Sequence, residues 1–366
     1  MADNKNQHYV PKVYLKAFSP DGPDGKRLHL FNLARGQAIL NAPIRGQCSR
    51  DYFYGQAPEV EEVFRETEGL YGCILRRLAE HDADVTSVLA PLRDIAYLQL
   101  VRTDKALGTA KHYFETTHNL AYAGRIVPPK DELPPDWVMA SDAVEHWRST
   151  VERLDDLASA VVVNDTPSRF ITSDNPAVLT NRLYCQKMRR TDFGVGNAGA
   201  ILFLPLTPRL GFIAWDRHSY QPVGRVRGRI PLRRSADVAV LNALQVLNCR
   251  DNLYFSEAGD VDALAVVART ASPGRVTDPH TFSVWVPDVI ESGGIERFRR
   301  ASVTEATQND RRMILTANVH AVPSAWPSFL PFKRPVTAWV SDTAIGAMRE
   351  SFAAKRADLK LIRRRY

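Results

Sequence analysis

Helical and strand-like patterning are segregated along this chain. That predicts an α+β fold, with a mainly helical N-terminal part packed on a mainly antiparallel or mixed sheet formed by the second half. Three observations carry the expectation. Between about residues 55 and 160, apolar residues recur at three- and four-residue spacing. Between about 160 and 290, short apolar, β-branched runs dominate. The composition, 45% hydrophobic and 24% charged over 366 residues, suffices for a buried core. The domain expectation is a single core over 1–290, then an extension over 291–366 with strands and a terminal helix.

The elements follow in order. Pro11 bars a regular helix across HYVPKVYLKAF but suits the start of one, with Val13, Tyr14, Leu15 and Phe18 as its apolar stripe. SPDGPDG at 19–25 reads as a turn. Leu28–Leu33 and Ala38–Leu40 read as a hairpin joined by Ala34-Arg35-Gly36-Gln37. A helix is predicted over 58–81, where Val60, Val63, Phe64, Leu70, Tyr71, Ile74, Leu75 and Leu78 keep helical spacing. A long helical region follows over 91–122, and another over 137–159, separated by Pro128, Pro129, Pro134 and Pro135. Strands are predicted over 160–164, 169–172, 200–204, 210–215 and 252–255, with a helix over 235–249. Beyond about 290 come strands over 314–322 and 336–340 and an amphipathic helix over 341–357.

Composition excludes several classes. No apolar run approaches the roughly 18–20 residues needed to cross a bilayer, and the polar start MADNKNQ lacks a signal-peptide core. Cys48, Cys73, Cys185 and Cys249 form no CxxC pair, so zinc-ribbon and thioredoxin motifs are absent, and the thiols read as small buried hydrophobes. The expected location is the cytoplasm. Formal net charge is +7. Its excess collects in Arg225, Arg227, Arg229, Arg233 and Arg234 and in the final run Lys355 to Arg365. Both clusters suit phosphate contacts or a solvated face. Phosphate-loop, HExxH and GxSxG motifs are absent.

Polar residues in apolar settings supply the candidate site. His8 titrates near neutrality and suits a base or ligand. Glu61 and Glu68 lie two turns apart on one helix face, and Glu62 and Glu66 one turn apart on a neighbouring face; paired carboxylates bind a divalent cation or form an acidic stripe. Arg102, at the end of YLQLVRT, needs an acidic partner or a bound anion if buried. Asp174 and Asn175, past the strand-like FIT, suit a ligand loop or a tight turn. Asn242 and Gln245, three apart on an apolar helix, either brace a neighbouring loop or touch a ligand.

QHYVPKVYLKAF, RDYFY, ETEG, LQLVRT, FITSDNPAV, PLTP and LNALQ occur in this order over about residues 7–260. In these the chain resembles the DUF4238 family, a widespread, mainly bacterial family of unknown function. The resemblance brings no established activity. It implies that His8, Glu68, Arg102 and Asp174 fall on the family's recurring polar positions.

Two functions are therefore expected. One is a hydrolase acting on phosphoesters or nucleic acid. There Glu68 and Asp174 would hold a divalent metal such as Mg, and His8 and Asp174 would be catalytic. Tyr14, Arg102, Asn175 and Asn242 would bind the ligand. The alternative is a non-catalytic nucleic-acid- or partner-binding or sensing protein, in which the same residues form a structural network. An open pocket favours the first and a closed, fully paired network the second.

Overall fold

The structure is a computed structural model. It describes residues 5–56, 58–80, 83–123, 133–290, 292, 294, 296–309, 311–341, 346–356 and 359–366.

A five-stranded sheet forms the centre, in the order Arg229–Leu232, Leu157–Asn164, Leu210–Asp216, Ala200–Pro205, Val178–Asn181. The first pair is parallel and the others antiparallel. Its strands are mostly apolar and mostly buried because both faces are covered. Alternation along the pleat sends Val161, Leu202, Leu204, Phe212 and Ala214 into a core shared with helix Leu89–Val101. Ala160, Val162, Ile201, Phe203, Ile213 and Trp215 enter a second core with helix Ser235–Asn248. The fold class is thus α+β, as the segregation predicts.

A second sheet ties the ends of this region together, in the order Gln37–Pro43, Arg27–Asn32, Asn252–Phe255, Thr172–Ser173. The predicted N-terminal hairpin is one half of it. Asn6–His8 pairs separately with Ser49–Asp51. Helix Lys12–Lys16 starts after Pro11, and helix Pro58–Ala79 lies where its periodicity puts it.

Several expectations need correction. The long helical region breaks into Leu89–Val101 and Asp104–Tyr122, because Thr103 leaves the helix and caps the second one, accepting Ala106 N–H at 3.2 Å. The helix expected to run to 159 ends at Thr150, and the Val-rich run from Leu157 is already strand. Of 169–172, only Thr172 pairs as strand. The terminal helix covers only Glu350–Ala354; residues 342–345 and 357 lie outside the described residues, and Ile362–Arg365 is a strand paired with Thr337–Val340. His280–Ile290 pairs with Glu296–Ala301 and Met313–Asn318. The sheet docks on helix Asp104–Tyr122, where Arg312 donates to the Ala123 carbonyl at 2.9 Å. Among the described residues, no helix is long and apolar enough to cross a membrane.

Candidate functional site

Arg102 sits at the helix break and its side chain is 2% exposed. Its guanidinium lies 3.7 Å from the centre of the Phe64 ring. One amino group donates to the His8 carbonyl at 2.9 Å, Nε donates to the Tyr54 hydroxyl at 3.4 Å, and Glu68 lies 3.6 Å away. The Tyr54 hydroxyl in turn donates to the Arg102 carbonyl at 2.6 Å. One residue therefore joins the first strand, the Tyr54 loop and two helices. Burial pushes the Glu68 carboxyl up, and Arg102 pulls it back down. Gln7 extends the frame, accepting Tyr54 N–H at 2.7 Å and donating to Glu61 at 3.2 Å. Glu62 pairs with Arg65 on the exposed side.

His8 is buried, and among the described residues its Nε2 has no hydrogen-bond partner. Burial, then the nearby Lys12, pulls its pKa from 6.5 to about 4, against opposing hydrogen bonds with the backbone of Ile44 and Asn6. The ring is neutral at pH 7. Tyr14, fully buried, shares a 2.6 Å bond with the Thr172 hydroxyl and donates to the Pro205 carbonyl at 2.6 Å. Between Tyr14, Glu68, Tyr71, Gln99 and Arg102 is a cavity of about 20 Å³, room for about one water.

Asp174 is engaged elsewhere. Its carboxylate accepts the backbone N–H groups of Arg250, Asp251 and Asn252 at 2.8, 2.7 and 2.8 Å. Burial pushes the carboxyl up, and these three amides oppose that. Asn175 accepts the Thr103 hydroxyl at 2.5 Å and donates to the Asn248 carbonyl at 3.0 Å. Thr103 thereby links LVRT to TSDNP.

The helix Ser235–Asn248 completes the frame with three amides spaced by three residues. Asn242 accepts Ile171 N–H at 3.1 Å and donates to the Arg169 carbonyl at 2.8 Å. Gln245 accepts the Ser173 hydroxyl at 2.9 Å and donates to the Pro176 carbonyl at 2.8 Å. Asn248 donates to the carbonyls of Asn175 and Ala177 at 2.6 and 2.8 Å. The segment 169–177 pairs as strand only at Thr172 and Ser173, so these amides supply the partners that a further strand would.

The carboxylates of the expected cation site are engaged within the chain. Glu68 is held by Arg102, whereas Asp174 is saturated by amides, and among the described residues no three His, Cys, Asp or Glu side chains gather to hold a metal. The donor set does not fit a divalent ion such as Mg. Of the ligand-binding candidates, Arg102, Tyr14, Asn175 and Asn242 spend their polar atoms inside the chain. Sequence reasoning missed Gln7, Tyr54 and Asn248. Asn248 had a readable signal, since it continues the Asn242–Gln245 spacing. Of the cysteines, Cys48 and Cys249 are buried as expected, Cys185 is half-buried and Cys73 is exposed.

The family model described as "Protein of unknown function (DUF4238)" matches residues 6–259. The chain belongs to this family. The matched span of the DUF4238 chain contains the whole frame, from Gln7 to Asn252, and ends before the sheet that begins at His280. No curated protein and no solved structure gives a significant match to this DUF4238 member.

Proposed function

We propose that this DUF4238 chain is a non-catalytic binding protein for nucleic acid, and that its signature residues form the frame that holds the fold. One observation carries the reading: the Asp174 carboxylate, the best-placed candidate base, is committed to three backbone amides. The cavity beside Glu68 and Arg102 supports it, because about 20 Å³ holds one water, whereas small-molecule sites need several hundred Å³. The basic balance of +7 supplies the attraction for a polyanion.

Hydrolysis of phosphoesters keeps one supporting observation, the unpartnered Nε2 of His8. The two readings separate in one experiment. Fluorescently labelled 20-base-pair DNA is titrated with wild-type and His8→Gln protein in the presence of Mg, followed by anisotropy and then by denaturing gel. Equal, salt-sensitive binding by both proteins with intact DNA is the expected result. Cleavage by the wild type that disappears in His8→Gln overturns the non-catalytic reading.

A further inference from the structure

Two of the arginines in the 225–234 cluster are used inside the fold. Arg225 donates to the Ser159 carbonyl at 3.1 Å and lies against the Trp215 ring, and Arg229 donates to the carbonyls of Leu78 and Glu80 at 3.2 and 2.8 Å. A second group of cations, drawn from three distant stretches of sequence, meets around one apolar cluster.

The first stretch is the π-helix Leu183–Met188 and its flanks. It buries Leu183 and Tyr184 and closes on Arg189 in the left-handed region, φ 53°. The turn holds Arg182 and Lys187 at 4.8 and 5.9 Å from the centre of the Phe332 ring, and Arg190 at 5.9 Å from that of Tyr184. The second stretch is Lys333 and Arg334, both exposed, directly after Phe332. The third is the strand Ile362–Arg365, whose four residues are all exposed and which pairs on one side only, with Thr337–Val340. Val336, Ala338 and Tyr366 pack with Leu183, Tyr184 and Phe332, which fixes the strand beside the turn. Arg190 and Arg364 both act electrostatically on Tyr366. Among the described residues, the ion pair within this group is Arg190 with Asp192.

Like charges held together repel one another unless an anion screens them. Arginines are suited to bidentate contact with phosphate. We propose that this surface, the 182–190 turn with Lys333, Arg334 and the strand Arg363–Arg365, is where the phosphate backbone of nucleic acid docks, without reading its sequence. The proposal rests on the binding function above and gives it a location. It puts part of the contact in the region beyond residue 259, outside the family match.

The test is the same 20-base-pair DNA titrated by anisotropy across a salt series. A variant with Arg363, Arg364 and Arg365 changed to alanine is expected to bind at least about tenfold more weakly, with a log–log salt slope shallower by about 2 to 3. Lys187→Ala with Arg189→Ala and Lys333→Ala is expected to weaken binding in the same direction. Changing Arg65, Arg76 and Arg77 on helix Pro58–Ala79 removes the same charge elsewhere and should leave affinity nearly unchanged. If the wild type binds the duplex and both surface variants bind equally well, the location is wrong while the binding function stands. If the wild type does not bind at all, both fail. Binding to anionic phospholipid vesicles without binding to the duplex likewise overturns the proposal.

Discussion

Arg102→Ala is expected to destabilise the fold by about 3 kcal/mol, towards the lower end of the cost of removing one partner of a buried ion pair, because Arg102 is buried and Glu68 only partly so. The loss has identifiable parts. The His8 carbonyl loses its donor and Phe64 loses the cation over its ring. Glu68, only one-third exposed, loses its counter-charge. Arg102→Lys is expected to recover little, because an ammonium cannot reach the His8 carbonyl, the Tyr54 hydroxyl and Glu68 from one position. Adding Glu68→Gln to Arg102→Ala should recover part of the loss, since the two sites are coupled. Urea unfolding of the four proteins measures all of this. A loss below about 1 kcal/mol for Arg102→Ala would mean that the arginine is kept for something other than the frame.

The second large effect is a pH dependence. The His8 pKa falls from 6.5 to about 4 on folding, so the folded chain binds its proton less readily than the unfolded chain. Stability from this group is complete above pH 6.5 and is lost as the pH falls from 6.5 towards 4. The expected size is about 3 kcal/mol, from about 1.4 kcal/mol per unit. His320, also lowered to about 4 by burial, acts in the same direction, so the wild-type curve alone does not isolate His8. The difference between wild type and His8→Gln does. Unfolding free energies at a series of pH values should diverge above pH 4 and reach a constant gap above 6.5. A gap independent of pH would show that His8 is protonated as easily in the folded chain as in the unfolded one.

What was legible in the sequence was mostly local. The helix Pro58–Ala79 and three strands of the central sheet, Leu157–Asn164, Ala200–Pro205 and Leu210–Asp216, follow from apolar patterning, because each buries a regular face or both faces; the short strands Val178–Asn181 and Arg229–Leu232 carry polar residues or proline and were not legible. The break at Arg102 was hidden because helix-compatible sequence lies on both sides of it, although Thr103-Asp104 carries a helix-start signal. The strand at Leu157 was overrun because its polar lead-in, Arg153 to Asp156, is compatible with helix. The π-helix at Leu183 has no sequence signature. Several candidate residues are linked by contacts in the fold: Arg102 touches the His8 carbonyl and Glu68, and its neighbour Thr103 touches Asn175. Their roles were not legible. The amides that saturate Asp174 come from residues 250–252, and the partners of Gln245 come from residues 173 and 176, so both depend on contacts that only the folded chain creates. The basic surface was half visible: the terminal arginines stand out in the sequence, whereas their meeting with the 182–190 turn is tertiary.

The central claim is that His8, Glu68, Arg102 and Asp174 hold the fold rather than carry out a reaction, and Asp174→Asn tests it most directly. The substitution keeps the size of the side chain but removes the charge, and turns one acceptor into an amide that faces N–H donors. Urea unfolding at pH 7 is expected to show a loss of about 2 kcal/mol, the scale of charge-assisted hydrogen bonds left unmade, with an unchanged dependence on denaturant. Stability equal to wild type within about 0.5 kcal/mol would contradict the account, since three backbone amides that lose a carboxylate cannot be indifferent to it.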